Sequence, residues 1–154
     1  MLTAEQLKRL FSRHPAHLVS DGQKRRAAVA AILHQATAGT DLLFIERAQW
    51  EGDPWSGDIG FPGGRCEKQD FSPRHTAERE TQEEIGVDLT DFEYLGQLDD
   101  ISGAHVPIIV SCFVYLTNKR PAPSLNHEVE NVFWVSLDDP VSYTHLTLPT
   151  KRIV

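Results

Sequence analysis

Between Phe61 and Val87 the chain sets a glycine-rich turn, Phe61-Pro62-Gly63-Gly64-Arg65, ahead of an acidic segment, Arg79-Glu80-Thr81-Gln82-Glu83-Glu84-Ile85-Gly86-Val87, with Asp70 between them. In a helix of about 3.6 residues per turn, steps of three and four return to the same side, so Glu80, Glu83 and Glu84 share a face. Like charges this close repel and weaken their own helix unless something cationic sits among them. A ligand set made of carboxylate oxygens alone suits a hard divalent ion, Mg2+ or Mn2+. Three glutamates by themselves could equally be a solvated helix face. Their combination with Gly64, Arg79, Gly86 and the Phe-Pro-Gly-Gly lead is far more restrictive.

The segments that must hold these groups form a mixed set. Thr3 and Gln6 make a capping box before Leu7, Leu10 and Phe11, which predicts a short amphipathic helix ending near His14-Pro15. Residues 26–34 read as a buried strand, although their alanines also allow a helix. Residues 36–40 read as a turn and 41–47 as a second strand. Residues 51–64 hold two prolines and five glycines and read as an irregular loop, functional or mobile in character. Ser72-Pro73 is a helix start, with serine at the cap and proline in the first turn, and Gly86 is the matching stop after Ile85. Residues 92–98, 108–116 and 129–137 read as strands. The order predicts a mixed α and β fold.

The stretch resembles the Nudix box: Gly, five residues, Glu, seven residues, Arg-Glu, an apolar residue, any residue, Glu-Glu, any residue, Gly, an apolar residue. Arg79, Glu80, Glu83, Glu84, Gly86 and Val87 match its downstream half, with Thr81 at the apolar position. Upstream, Gly64 is followed by five residues and then Asp70 in place of Glu, and eight residues separate Asp70 from Arg79. Anchoring strictly from Arg79 puts Arg65 and Phe71 at the Gly and Glu positions, a poorer reading. The expanded, Asp-bearing box led by Phe-Pro-Gly-Gly resembles the coenzyme A pyrophosphatase branch of the family; Arg47 and Gly57 also correspond to it. The resemblance covers roughly residues 25–137.

The resemblance implies an α/β fold, an α/β/α sandwich with a mixed sheet, and a metal-dependent attack of water on a link of the form X–O–P–O–P–Y. Divalent ions would neutralise the phosphate oxygens, orient the diphosphate and make water more acidic. Glu80 and Glu84 are then the direct ligands, Glu83 a third ligand or the general base, and the Gly63 carbonyl a further ligand. Arg79 orients one glutamate through a salt bridge, with Asp70 as a candidate partner. Glu128, in His127-Glu128-Val129, is a candidate base or late ligand, with Glu130 a weaker one; both also read as solvated loop carboxylates. Arg47 and Gly64 are candidates for substrate binding. His105 and His127 could touch phosphate or be ordinary loop histidines. Trp55 could stack on a base or anchor its loop, whereas Trp50 and Trp134 read as packing residues.

The length of 154 residues predicts a single domain. A net charge of −7 speaks against nucleic acid as a partner and fits phosphates handled through bridging cations. No apolar run reaches the ~18 residues of a membrane span, and no export signal opens the chain. Cys66 and Cys112 lack metal spacing, and reduced thiols in the cytoplasm are the expectation. Residues 141–154 show neither helix nor strand period and resemble translated sequencing-adapter sequence. The expectation is a domain over residues 1–140, a non-native tail, and a missing C-terminal helix. The leading substrate class is a small nucleoside diphosphate derivative, coenzyme A or acyl-CoA first, with nucleotide sugars and dinucleotides open. A Nudix-fold module that senses a nucleotide without turnover is the alternative; the retained glutamates argue against it. Oligomeric state is not legible.

Overall fold

A computed structural model describes residues 3–19, 25–52, 57–102 and 107–138. Along the chain run α1 (Ala4–Arg13), β1 (Arg25–Ala36), β2 (Gly39–Arg47), β3 (Ile59–Gly60), β4 (Gly63–Arg65), α2 (Pro73–Ile85), a 3-10 turn (Leu89–Asp91), β5 (Glu93–Gln97), β6 (Ile108–Thr117) and β7 (Val129–Ser136). β1 and β6 pair in parallel along ten residue positions from Arg25↔Ile108 to His34↔Thr117, and form the centre of the sheet. Among the described residues every other pairing is antiparallel. The strand order is β3-β2-β1-β6-β5, with β4 on β1 and β7 on β2. The first half of β1 thus carries β4, and its second half turns through a hairpin into β2.

Side chains alternate across a strand, so β1 and β6 feed two separate cores. Ala28, Ala30 and Ile32 join Phe113 and Tyr115 on one face, beneath Ala77 and Ile85 of α2. Ala31 and Leu33 join Cys112, Val114 and Leu116 on the other, where Leu7 and Phe11 of α1 pack. The layers are α/β/α, as the family resemblance implied. The alanines that left residues 26–34 ambiguous mark where a helix lies close: Ala28, Ala30 and Ala77 are all fully buried. The strand also has a parallel partner, and strands buried on both faces read as continuous apolar runs.

The N-terminal capping box forms as expected, with Thr3 Oγ1 accepting from Gln6 N and Thr3 N donating to Gln6 Oε1. The segment read wholly as loop, 51–64, instead contains β3 and the start of β4, because the edges of β1 and β2 there offer free ladder groups. Two-residue and three-residue strands are too short to show a period. Residues 141–154 and the position expected of a C-terminal helix lie outside the described residues, as do Trp55 and His105. Among the described residues no helix is long and apolar enough to cross a membrane.

Candidate active site

The helix that carries the glutamates starts and stops where its sequence says. Ser72 caps it by accepting from His75 N at 3.1 Å, and Pro73 occupies the first turn. Gly86 takes the left-handed conformation, φ 67° and ψ 25°, which glycine adopts without Cβ strain, and its N–H donates to the Gln82 carbonyl. Thr81, at a position where an apolar residue was expected, is fully buried and turns its hydroxyl back onto the Ala77 carbonyl at 2.7 Å. With its polar atom satisfied inside the helix, it packs as an apolar residue would.

Glu80 and Glu84, one turn apart, point to the glycine turn. Glu84 is only 1% exposed. One carboxylate oxygen accepts from Gly63 N at 2.8 Å. The other, Oε2, is buried without a hydrogen-bond partner. Burial pushes the Glu84 carboxyl up to about 8; Glu80 and Glu128 push the same way, while Gly63 N–H and Arg47 pull it down. Glu80 is raised too, first by burial. Oxygens of Glu80, Glu84 and Glu128 all lie within 4.8 Å of one another. Three carboxylates with oxygens this close, one of them buried with an unpartnered oxygen, form an oxygen-only donor set of the kind a hard divalent cation takes. The residues present therefore fit Mg2+ or Mn2+.

Both glycines of the turn are there for close approach. A Cβ on Gly64 would lie 2.5 Å from Glu80 Cδ, and one on Gly63 would lie 2.6 Å from Val29 Cα. Glycine lets β4 pass between β1 and the carboxylates.

Glu83 does not join the group. Its side chain is 53% exposed and accepts from Arg79 Nη1 at 3.2 Å. Arg79 also donates to Glu80 Oε1 at 3.1 Å and grips Asp70 with two bonds, 2.8 Å from Nε and 3.0 Å from Nη2. Asp70 is nearly fully buried and further accepts from Thr76 Oγ1 and Glu67 N. The Arg79 guanidinium holds the Asp70 carboxyl well below the usual range, and Asp70 in turn raises Arg79. Arg79 is thus fixed by a forked ion pair and hands its remaining N–H groups to Glu80 and Glu83.

Glu128 reaches the group through the end of α2. Ser124 N donates to the Ile85 carbonyl at 2.8 Å and Asn126 N to the Glu84 carbonyl at 2.9 Å. Asn126 Oδ1 then accepts from Glu128 N at 2.8 Å. On the far side Ala48 N donates to the Glu128 carbonyl at 2.9 Å, which ties it to the residue after Arg47 at the end of β2. Ser124 and Asn126 were not singled out in the sequence; the one local signal was asparagine two residues before a glutamate, a turn-forming arrangement. Glu130 is exposed and outside the group. Trp134 packs against the core, as expected. Trp50 does not: it is 51% exposed and meets the His127 ring edge-on, with centroids 5.8 Å apart.

The NUDIX domain family model matches residues 24–153. The chain belongs to the Nudix family. It is 32% identical over 148 residues to an uncharacterized Nudix hydrolase, NudL, of Pectobacterium atrosepticum, covering 93% of this chain and 71% of that protein. It is 32% identical over 149 residues to the peroxisomal coenzyme A diphosphatase ndx-8 of Caenorhabditis elegans, covering 92% of this chain and 61% of that one. Its fold is similar to that of a Nudix hydrolase from M. smegmatis, RenU, with a TM-score of 0.62 at 17% identity, over 83% of this chain and 86% of that one. The chain spans from 52% to 71% of the length of the first two relatives it matches. In this Nudix domain the geometry sides with the box anchored on Gly64 and Asp70. Asp70 is the buried partner of Arg79, while Phe71, which strict spacing would put there, is 94% exposed.

Proposed function

We propose that this Nudix domain hydrolyses a phosphoanhydride in a nucleoside diphosphate derivative, with coenzyme A or an acyl-CoA as the first substrate to test. The observation that carries the reading is the orphaned Oε2 of buried Glu84 inside a carboxylate triad. A buried carboxylate oxygen without a partner is costly, and a divalent cation is the group that satisfies it there. Mg2+ or Mn2+ would be held by Glu80, Glu84 and Glu128, with the Gly63 carbonyl as a further oxygen. The ion supplies charge neutralisation on the diphosphate and a lowered pKa for water.

This chain's residues do the rest. Gly63 N–H holds Glu84 so that one oxygen stays directed at the site. Arg79, locked on Asp70, keeps Glu80 in line and holds Glu83 at the rim. Half-exposed Glu128 would take the proton from the attacking water through the oxygen it does not give to the cation, with Glu83 the other candidate. The water oxygen bonds to one phosphorus, the bridging P–O bond breaks, and the second phosphate leaves with the bridging oxygen. Arg47 lies near enough to lower the Glu84 carboxyl and would meet the diphosphate at the mouth. Similarity to a coenzyme A diphosphatase supports the substrate. Two unpaired thiols, Cys66 and Cys112, are in keeping with a reducing compartment such as the cytoplasm. The domain reading of residues 1–140 with an appended tail stands as part of this proposal.

The test is product identification from coenzyme A with magnesium. Cleavage should release a phosphopantetheine and an adenosine bisphosphate. Glu84→Gln should lower kcat by about two orders of magnitude, and Glu128→Gln should lose more rate than Glu83→Gln. Nucleotide binding without any product from coenzyme A, nucleotide sugars or dinucleotides would refute the proposal in favour of a sensor.

A further inference from the structure

Resting on the reading of Glu80, Glu84 and Glu128 as a cation site, we propose that Asn126 is the positioning residue that sets their spacing, and with it the affinity for the divalent cation. Glu80 and Glu84 stand one turn apart on α2, so the helix itself fixes one relative to the other. Glu128 comes from a separate loop, and its side chain is 44% exposed. Burial does not hold that carboxylate in reach of the other two. Its backbone has to.

Asn126 bridges two of the three carboxylate residues by itself. Its N–H donates to the Glu84 carbonyl at 2.9 Å, and its Oδ1 accepts from Glu128 N at 2.8 Å. Its own carbonyl accepts from Val129 N at 3.3 Å. An asparagine that bonds the amide two residues on is an ordinary turn former. A free-standing turn, however, would not hang from the backbone of the helix residue whose side chain faces the site. The register of β7 completes the setting. Glu46 pairs with Asn131 and Arg47 with Val129, so Glu130 is the extra residue of a bulge. Trp134 and Val132 pack on the α2-side core, and regular alternation would bring residue 130 to that face; the bulge brings Val129 there instead. Glu130 is left in solvent. Glu128 is thus held between buried Val129 and the bridging asparagine.

The experiment reads cation binding at equilibrium, with free Mn2+ measured by electron paramagnetic resonance and no substrate present. Asn126→Ala keeps the backbone bonds and loses the side-chain acceptor. It should weaken Mn2+ by about tenfold, the usual effect of removing a group that orients a metal ligand. Asn126→Ser, whose hydroxyl accepts the same amide more weakly, should lose about threefold. It takes the place of Asn126→Ala in every comparison if that variant does not fold. In a Glu128→Gln background the asparagine substitution should cost almost nothing further, because the carboxylate it positions is already gone. In a Glu80→Gln background it should still cost its full factor. Unchanged Mn2+ affinity in the folded Asn126 variant overturns the positioning role. So does an equal loss in the two backgrounds, which is the mark of a generally loosened fold. Failure of the unaltered protein to bind Mn2+ overturns the cation site beneath the proposal, a separate result.

Discussion

Without a cation, the folded domain should become less stable as the pH rises from 5 to 8. Glu84 is the reason. Its carboxyl ordinarily titrates at 4.5 and in the fold is pushed up to about 8. Between those values the unfolded chain has released a proton that the folded chain still holds. The folded state therefore has its full share of this stability below 4.5 and loses it as the pH climbs through about 8. At ~1.4 kcal/mol per pH unit the whole loss reaches about 5 kcal/mol, comparable with the entire stability of many domains. Raised Glu80 adds to the loss in the same direction. Urea unfolding in chelator at constant ionic strength, at intervals from pH 5 to 8.5, reads the slope. Magnesium should restore stability strongly at pH 8 and little at pH 5, since ligand binding to the native state alone is stabilising. In thermal melts the recovered difference should be about 10 °C or more. Glu84→Gln should flatten the chelator profile and blunt the response to magnesium. A chelated protein as stable at pH 8 as at pH 5, or a Glu84→Gln variant with the original slope, would refute the reasoning.

Asp70→Asn should destabilise the domain by about 3 kcal/mol in chemical denaturation, because it leaves Arg79 without its buried anion. In the parent protein that contribution is present above the ordinary carboxyl value of 3.8 and is lost as the pH falls below it, so the variant's acid limb should be shallower. The two glycines of the turn should separate in their effects. Gly64→Ala should displace Glu80 and lower turnover about tenfold while the fold persists, whereas Gly63→Ala should press on the β1 backbone and show chiefly as a lower melting temperature.

The acidic helix was legible because every signal in it is local: a serine cap, a proline, a glycine stop, and carboxylates at steps of three and four. The equivalence of the three helix glutamates was not resolved by spacing. A step of three and a step of four both return to the face, yet Glu83 is drawn outward to Arg79, and Arg79 is aimed by Asp70 across a loop. Long-range bonds set Glu128. Its place depends on Ser124 and Asn126 finding the last carbonyls of α2, a pairing no periodicity announces. Trp50 read as packing because tryptophan is large and apolar; its exposure comes from standing just beyond the end of β2, past the sheet that would have covered it. Strands β3 and β4 were too short to leave a pattern, and their existence follows from the open edges of β1 and β2.

The closing carbonyls of a helix ordinarily face solvent. In this domain Glu84 O and Ile85 O are taken by the amides of Asn126 and Ser124. The helix terminus and the distant loop consequently open as one cooperative unit, and their amides should share a single opening free energy in hydrogen exchange. Fraying at that terminus does not shed one carboxylate at a time: it dismantles the donor set on both sides at once.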